Sequence, residues 1–194
     1  NKFVYNAAAH KPTVTVTFNG ATLREGVDYE VLYLEALKVS NGKPTRWFGY
    51  GDTSVDCINA SDHYYAVVMG KGNYYTADNL TLYANFVVEK ATVTEPAVAS
   101  KPYSGSVQTA DIADTELYTV GQNNGGIDAG NYDVVLKLKD SANYRWATAD
   151  GAEITLQFKI IQARNAWTKT PNIIGWTYGK TPNTPVGEAR FGTI

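Results

Sequence analysis

Carboxylates, two histidines, a single cysteine and a run of aromatic rings are the side chains of this sequence that could do chemistry. Glycoside hydrolysis needs two carboxyl groups flanking a cleft. Asp28, Asp52, Asp56 and Asp140 instead sit singly in stretches that read as turns, where aspartate hydrogen-bonds its own backbone. With His10 and His63 the only histidines, a Ser-His-Asp triad or a multi-histidine metal site would rest on one residue. Cys57 has His63 as its nearest potential base in sequence, and its plain reading is a small buried apolar side chain. Neither a Gly-Lys-Ser/Thr phosphate loop nor a strand-to-helix glycine fingerprint occurs. The stretch from Asp52 to Asp56 could lend two oxygens to a weakly held ion, but a structural turn is the better reading. These residues point to no enzyme, no metal and no cofactor.

Aromatic rings are the remaining resource. Arg46, Trp47, Phe48 and Tyr50 lie together beside Gly49, and flat rings on a glycine-flexible loop stack on sugar faces or anchor interfaces. Two readings stand side by side. Trp47 and Phe48 fold back as a lid on the core of the first half of the chain, or these four residues contact a ligand. Tyr74, Tyr75, Tyr144 and Trp146 are aromatic too, but they recur at one position of an internal repeat, which speaks for a structural role at a core edge or junction.

That repeat organises the chain. A block from Ala60 through Tyr64 and Asn73-Tyr74 closes on Phe86 and Ala91. It returns from Ala129 through Tyr132 and Asn143-Tyr144, closing on Phe158 and Ala163. Similarity at this spacing indicates an array of like modules. The length of 194 residues suits one or two domains, and 44% hydrophobic residues suffice for a core. A net charge of −2 without a basic stripe argues against a nucleic-acid partner. No apolar run is long enough for a membrane span. The single cysteine excludes an internal disulfide. Asn1 opens no signal peptide, so the chain reads as mature or trimmed. Tyrosine dominates, with 14 Tyr against 6 Phe and 1 Met, a composition suited to pleated, half-buried surfaces.

Period-two patterns place the strands. Val14, Val16 and Phe18 alternate with threonines ahead of the Asn19-Gly20 turn signal. Tyr29, Val31 and Tyr33 share one face of the next strand. Residues 34–58 hold no sustained period, and Leu34 to Val39 are the one candidate for a turn of helix. Leu80, Leu82, Ala84, Phe86 and Val88 share a face, as do Tyr132, Val134, Leu136 and Leu138, and again Ile154, Leu156, Phe158 and Ile160. The division expected is a first module over 1–91 with an insertion at 34–58, a second over 92–163, and the start of a third, truncated module over 164–194. That last piece is too short to hold a core alone. It is expected to lean on the second module through Trp167 or Trp176, or to be loosely held. The fold expected is all-β, as tandem small Ig-like β-sandwich modules. The alternative is β-grasp-like modules whose one short helix comes from residues 34–39.

With those residues in view, the chain resembles a known family. Gly70-Lys-Gly-Asn-Tyr74, Ala129-Gly-Asn-Tyr132, Lys101-Pro-Tyr-Ser-Gly105 and Gly175-Trp-Thr-Tyr-Gly179 are similar to the signature of MBG and related bacterial Ig-like repeats. The insertion at 34–58 departs from that pattern. The resemblance implies a non-catalytic stalk or adhesion segment of a bacterial cell-surface or cell-wall protein, extracellular and monomeric. Its partner would be a host or neighbouring-cell surface protein or a glycan. The family has no agreed catalytic residues to carry over. Some surface Ig-like domains carry a Lys–Asn isopeptide bond, but no matched first-strand and last-strand set stands out here. A carbohydrate-binding module using residues 46–50 is the alternative function.

Overall fold

The computed structural model describes residues 1–41, 43–48, 54–75, 82–173, 175–181 and 184–191, with backbone alone for Trp47 and Phe48. The chain is all-β. Its strands are β1 (Lys2–Val4), β2 (Thr17–Phe18), β3 (Ala21–Thr22), β4 (Tyr29–Ser40), β5 (Lys43–Phe48), β6 (Ser61–Gly70), β7 (Leu82–Glu89), β8 (Ala91–Val93), β9 (Lys101–Pro102), β10 (Tyr118–Asn123), β11 (Gly130–Leu138), β12 (Tyr144–Trp146), β13 (Glu153–Ile161), β14 (Trp167–Asn172) and β15 (Val186–Ala189). A single 3-10 turn covers Gly72–Tyr74, and the described residues contain no α-helix. Two compact units divide the chain. The first takes Asn1–Glu95 and Leu138–Ala152, the second Pro96–Lys137 and Glu153–Ile194.

Unit 1 is built on a five-stranded sheet in the order β1-β7-β6-β4-β5. Its central strand β6 buries Tyr64, Tyr65, Ala66 and Val67 in succession, the continuous run expected of a strand covered on both faces. One face carries Cys57, Tyr64, Phe86 and Val88 with Phe3, Tyr33 and Val55 against them. The other carries Leu34, Ala36, Tyr65 and Val67, with Leu32 and Val39 packed on. Fully burying each of these larger side chains is worth about 1.5–3 kcal/mol before entropy is counted. The parallel pair β8/β12 completes the unit in the register Tyr144↔Ala91 and Trp146↔Val93, with Trp146 only 1% exposed.

Residues 34–39 are strand, not helix, so the β-grasp alternative does not hold for them. Leu34 and Ala36 are buried while Leu37 is 52% exposed, a two-residue period. Leu34 pairs with Tyr65 and Glu35 with Tyr64. The cross-strand partners set the conformation of a short apolar run that either element could have claimed. β4 then turns back as β5, with Ser40 opposite Lys43 and Asn41 at φ +52°, the left-handed conformation that Asn tolerates in tight hairpins.

The Asn19-Gly20 turn forms as expected, with φ values of +49° and +81° and Phe18 paired with Ala21. The strand expected from Val14 shrinks to Thr17–Phe18. Residues 12–16 are held instead by side chains of β4. The Tyr33 hydroxyl donates to the Pro12 carbonyl at 2.7 Å and the Tyr29 hydroxyl to the Val14 carbonyl at 2.9 Å. Tyr29 is buried and Val31 and Tyr33 half-buried, as their alternation predicts. Phe18 departs from its inward placement and stands 56% exposed.

Unit 2 repeats four of the five positions, β10-β11-β13-β9 standing where β4-β6-β7-β1 stand in unit 1, with no counterpart of β5 among the described residues. Tyr132 pairs with Phe158 in β11/β13 as Tyr64 pairs with Phe86 in β6/β7. In unit 1 β1 lies parallel to β7, with Phe3 opposite Val88, and in unit 2 β9 lies parallel to β13, with Lys101 opposite Ile160. The chain then leaves the first strand by the same left-handed turn, at Ala7 (φ +61°) and at Gly105 (φ +81°). Val134, Leu136, Phe158 and Ile160 form the core, none more than 1% exposed.

The hairpin β14/β15 belongs to unit 2. Trp167 and Trp176, the residues expected to hold it, are 53% and 52% exposed. Phe191 sets its ring edge-on against Tyr103 at 5.0 Å. Asn165 fixes Phe191 there by bonding both its backbone N–H and its carbonyl, each at 3.2 Å. The planar amide matches a main-chain donor and acceptor together, which an indole cannot do.

Candidate functional site

Arg46, Trp47 and Phe48 lie on β5, the edge strand of the sheet of unit 1, rather than on a loop. Arg46 pairs with Lys38, Trp47 with Ala36 and Phe48 with Glu35, and Arg46 is exposed. Tyr50, Gly49 and Asp52 lie outside the described residues, as do the side chains of Trp47 and Phe48. The signal for this hairpin was present as Asn41-Gly42, the strongest two-residue reversal in a sequence.

The titratable candidates are dispersed. Cys57 is 2% exposed, and burial pushes its thiol up to about 11. It is therefore neutral at physiological pH, whereas a nucleophilic cysteine needs a depressed value. His10 stacks on Phe3 at 5.0 Å. His63 faces Asp62 at 3.4 Å on the open surface. Asp56 is paired through Oδ1 with Lys11 at 3.2 Å. Among the described residues no three His, Cys, Asp or Glu side chains converge as a metal site. Lys101, in the first strand of unit 2, is ion-paired with Asp111 at 2.6 Å and also donates to the Thr109 carbonyl at 2.9 Å.

An apolar trough in unit 1 was not legible from sequence. Val16, Phe18, Leu23, Val68, Tyr74 and Leu82 line a cavity of about 320 Å³. Phe18 meets Tyr74 edge-on at 5.7 Å, and Leu82 stands 60% exposed. Two of its polar neighbours bond the chain itself, Tyr29 donating to the Val14 carbonyl and Asp28 accepting the Arg24 N–H at 2.8 Å. The trough offers chiefly apolar contact area. A pattern placing Phe18 inward gave no hint of it, since the exposure arises from the tight turn that follows Phe18.

Two glutamates are held low by their surroundings. The Lys2 ammonium at 2.7 Å lowers Glu89. Backbone N–H groups, including that of Thr148, and the Thr148 hydroxyl lower Glu95. Both are surface acceptors. Among the described residues no helix is long and apolar enough to cross a membrane. No protein-family model, no curated protein and no solved structure matches the chain.

Proposed function

We propose that the chain is a non-catalytic segment of a bacterial cell-surface protein, a stalk or adhesion piece made of tandem Ig-like β-sandwich modules. The observation that carries this reading is the repetition of one strand order and one register, Tyr64↔Phe86 and Tyr132↔Phe158, in successive units. Repeated modules of this kind extend a chain and present surfaces. The neutral Cys57 and the paired, surface-facing Asp56 and His63 support a role without a reaction centre. The partner is a surface protein or glycan of a host or neighbouring cell. Antibodies raised against the chain should label intact, unpermeabilised cells of the source organism. Labelling confined to lysed cells would sink the reading.

A second reading keeps the stretch Arg46 to Tyr50 as a carbohydrate-binding patch. The exposed Arg46 on an edge strand favours it, because an edge presents its residues to a partner. Affinity-gel retardation on bacterial and host polysaccharides separates the two. Under the second reading the chain is retarded and Trp47→Ala abolishes the retardation; under the first, Trp47→Ala migrates as the parent chain does.

A further inference from the structure

We propose that the β4/β5 hairpin of unit 1 is a binding site for an acidic polysaccharide, with Lys38, Lys43 and Arg46 taking anionic groups on its sugars. The proposal rests on the second reading above, which makes residues 46–50 a carbohydrate patch, and it names the class of carbohydrate.

The hairpin forms an arm. β4 pairs with β6 from Tyr29 to Glu35. Past Glu35 its ladder partner among the described residues is β5 alone, from Ala36 opposite Trp47 to Ser40 opposite Lys43. Two irregularities interrupt that register, between Ala36 and Lys38 and between Lys38 and Val39. They decide which way the side chains face. Leu34 and Ala36 are buried in one cluster, and Val39 packs against the same cluster. A regular strand would send residue 38, not 39, to the side of 34 and 36. The first irregularity moves the alternation by one, as a bulge does, and turns Lys38 and Ser40 away from the cluster. Arg46 stands opposite Lys38 and Lys43 opposite Ser40, so the register brings the three cations to one face of the arm. All three are exposed.

Their charge is not balanced by the chain. Lys2, Lys11, Arg24, Lys71 and Arg145 each face a carboxylate, and Lys90 donates to the Ser141 carbonyl. Apart from Lys139, the arm holds the remaining cations of unit 1, and no carboxylate among the described residues pairs with them. Glu35, the acid at the base of the arm, accepts the Ser61 hydroxyl at 3.1 Å. Lys38 and Arg46 oppose each other directly, an arrangement that destabilises a strand pair. Edge cations keep further strands from docking, but that purpose needs no like charge directly opposite. An anionic ligand turns the repulsion into attraction.

The arm suits a polymer better than a small ion. Exposed ion pairs are individually weak, and residues two apart on one strand face are about 7 Å apart, so the cations reach separate anionic groups. Groups repeated along one chain meet the second and third cation at raised effective concentration. Arg46 adds a two-donor fork that matches an oxyanion. Trp47 and Phe48 follow it in sequence, and rings beside cations suit sugars that carry charge.

The test is affinity electrophoresis of the whole chain through gels holding polygalacturonate, heparin, neutral dextran, polyglutamate or single-stranded DNA. Each protein is referred to its own mobility in ligand-free gel, so a change of charge does not count as binding. Polygalacturonate presents carboxylates and heparin chiefly sulfates, so these two gels tell the anion apart. At least one of them should retard the chain more strongly than the other three ligands do, and less as salt rises. The triple variant Lys38→Gln/Lys43→Gln/Arg46→Gln should bind about tenfold more weakly or worse, with a urea midpoint no lower than that of the parent. Lys159→Gln/Lys169→Gln/Lys180→Gln, at exposed positions of unit 2, loses the same charge and should bind as the parent does. Retardation by neither acidic glycan overturns the proposal, and so does equally strong retardation by any of the other three ligands. A triple variant that binds like the parent also overturns it; if Trp47→Ala then runs free, the second reading stands alone. Trp47→Ala retarded like the parent takes both down.

Discussion

The side-chain oxygen of Asn143 accepts the backbone N–H of Ala60 at 2.8 Å, across 83 residues of sequence. Its amide nitrogen donates to Asn59 Oδ1 at 3.1 Å and to Asp140 Oδ2 at 2.9 Å. Asn143 is 7% exposed, so within unit 1 this one buried amide ties together the half-buried Ala60 and Asp140 and the exposed Asn59. Asn143→Ala removes all three bonds, and leaving the half-buried Ala60 N–H without its acceptor costs about 1–3 kcal/mol. The urea midpoint should fall accordingly. Asn143→Asp should lose more at neutral pH, since it turns a donor toward Asp140 into a like charge, and should recover in part as carboxyls protonate. A midpoint unchanged in both variants would show that Ala60 finds another partner.

Tyr33 and Tyr29 provide a separable test of how residues 12–16 are retained. Their hydroxyls reach the Pro12 and Val14 carbonyls, while the ladder strand begins only at Thr17. Tyr33→Phe and Tyr29→Phe keep the rings and remove one bond each, at about 0.5–1.5 kcal/mol. Amide exchange should accelerate over residues 13–16 in the double variant and remain slow in β6. Uniform acceleration along the chain would mean the hydroxyls stabilise the whole unit and not that segment.

Local pattern carried the parts of the fold that local chemistry decides. Val134, Leu136 and Leu138 are buried where their alternation puts them, and Asn19-Gly20 makes its turn. What escaped was set by partners distant in sequence. Leu34 and Ala36 become strand because β6 lies beside them, and a short apolar run carries no period of its own to say so. The tyrosines of β4 were placed correctly by face, yet their hydroxyls close on carbonyls 15 and 21 residues away. Asn143-Tyr144 marks the second repeat, yet the Asn143 side chain is spent on Asn59 and Ala60, which no spacing in the sequence links to it. The aromatic stretch 46–48 stood out as a candidate but on a glycine-flexible loop, because residues 34–58 show no sustained period, whereas it lies on an edge strand, a place that tolerates Pro44.

Gly125 and Gly126 are adjacent and should respond differently to the same change. A Cβ on Gly125 would stand 1.8 Å from the Gln108 carbonyl oxygen, with φ at +56°. Both obstacles are backbone. On Gly126 the nearest atoms, at 2.2 Å, belong to the Tyr132 ring. Gly126→Ala should cost about 1–3 kcal/mol through overpacking and should be relieved by Tyr132→Leu in a double-mutant cycle. Gly125→Ala should cost at least as much, with no relief from any change at Tyr132. Coupling of Tyr132 to both positions would contradict the geometry.

Buried groups should give stability a pH dependence on the alkaline side. Burial raises the Cys57 thiol from 9.0 to about 11, and burial raises the Tyr64 hydroxyl from 10.0 to about 12. Each group is neutral in the folded chain over a range where it ionises in the unfolded one, so the unfolded state gains as protons leave. The stabilisation is complete below 9.0 and is lost between 9.0 and about 11 for Cys57. For Tyr64 the loss runs from 10.0 to about 12. Cys57→Ala should cost about 1 kcal/mol at neutral pH through lost packing against Tyr64 and Phe86. It should also flatten the decline at the lower end of the alkaline range while leaving the tyrosine step intact. Urea titrations of both proteins at successive alkaline pH values measure this directly. Parallel declines would mean that the thiol ionises as easily in the folded chain as in the unfolded one, and that water reaches the sulfur among Tyr64, Phe86 and Val88.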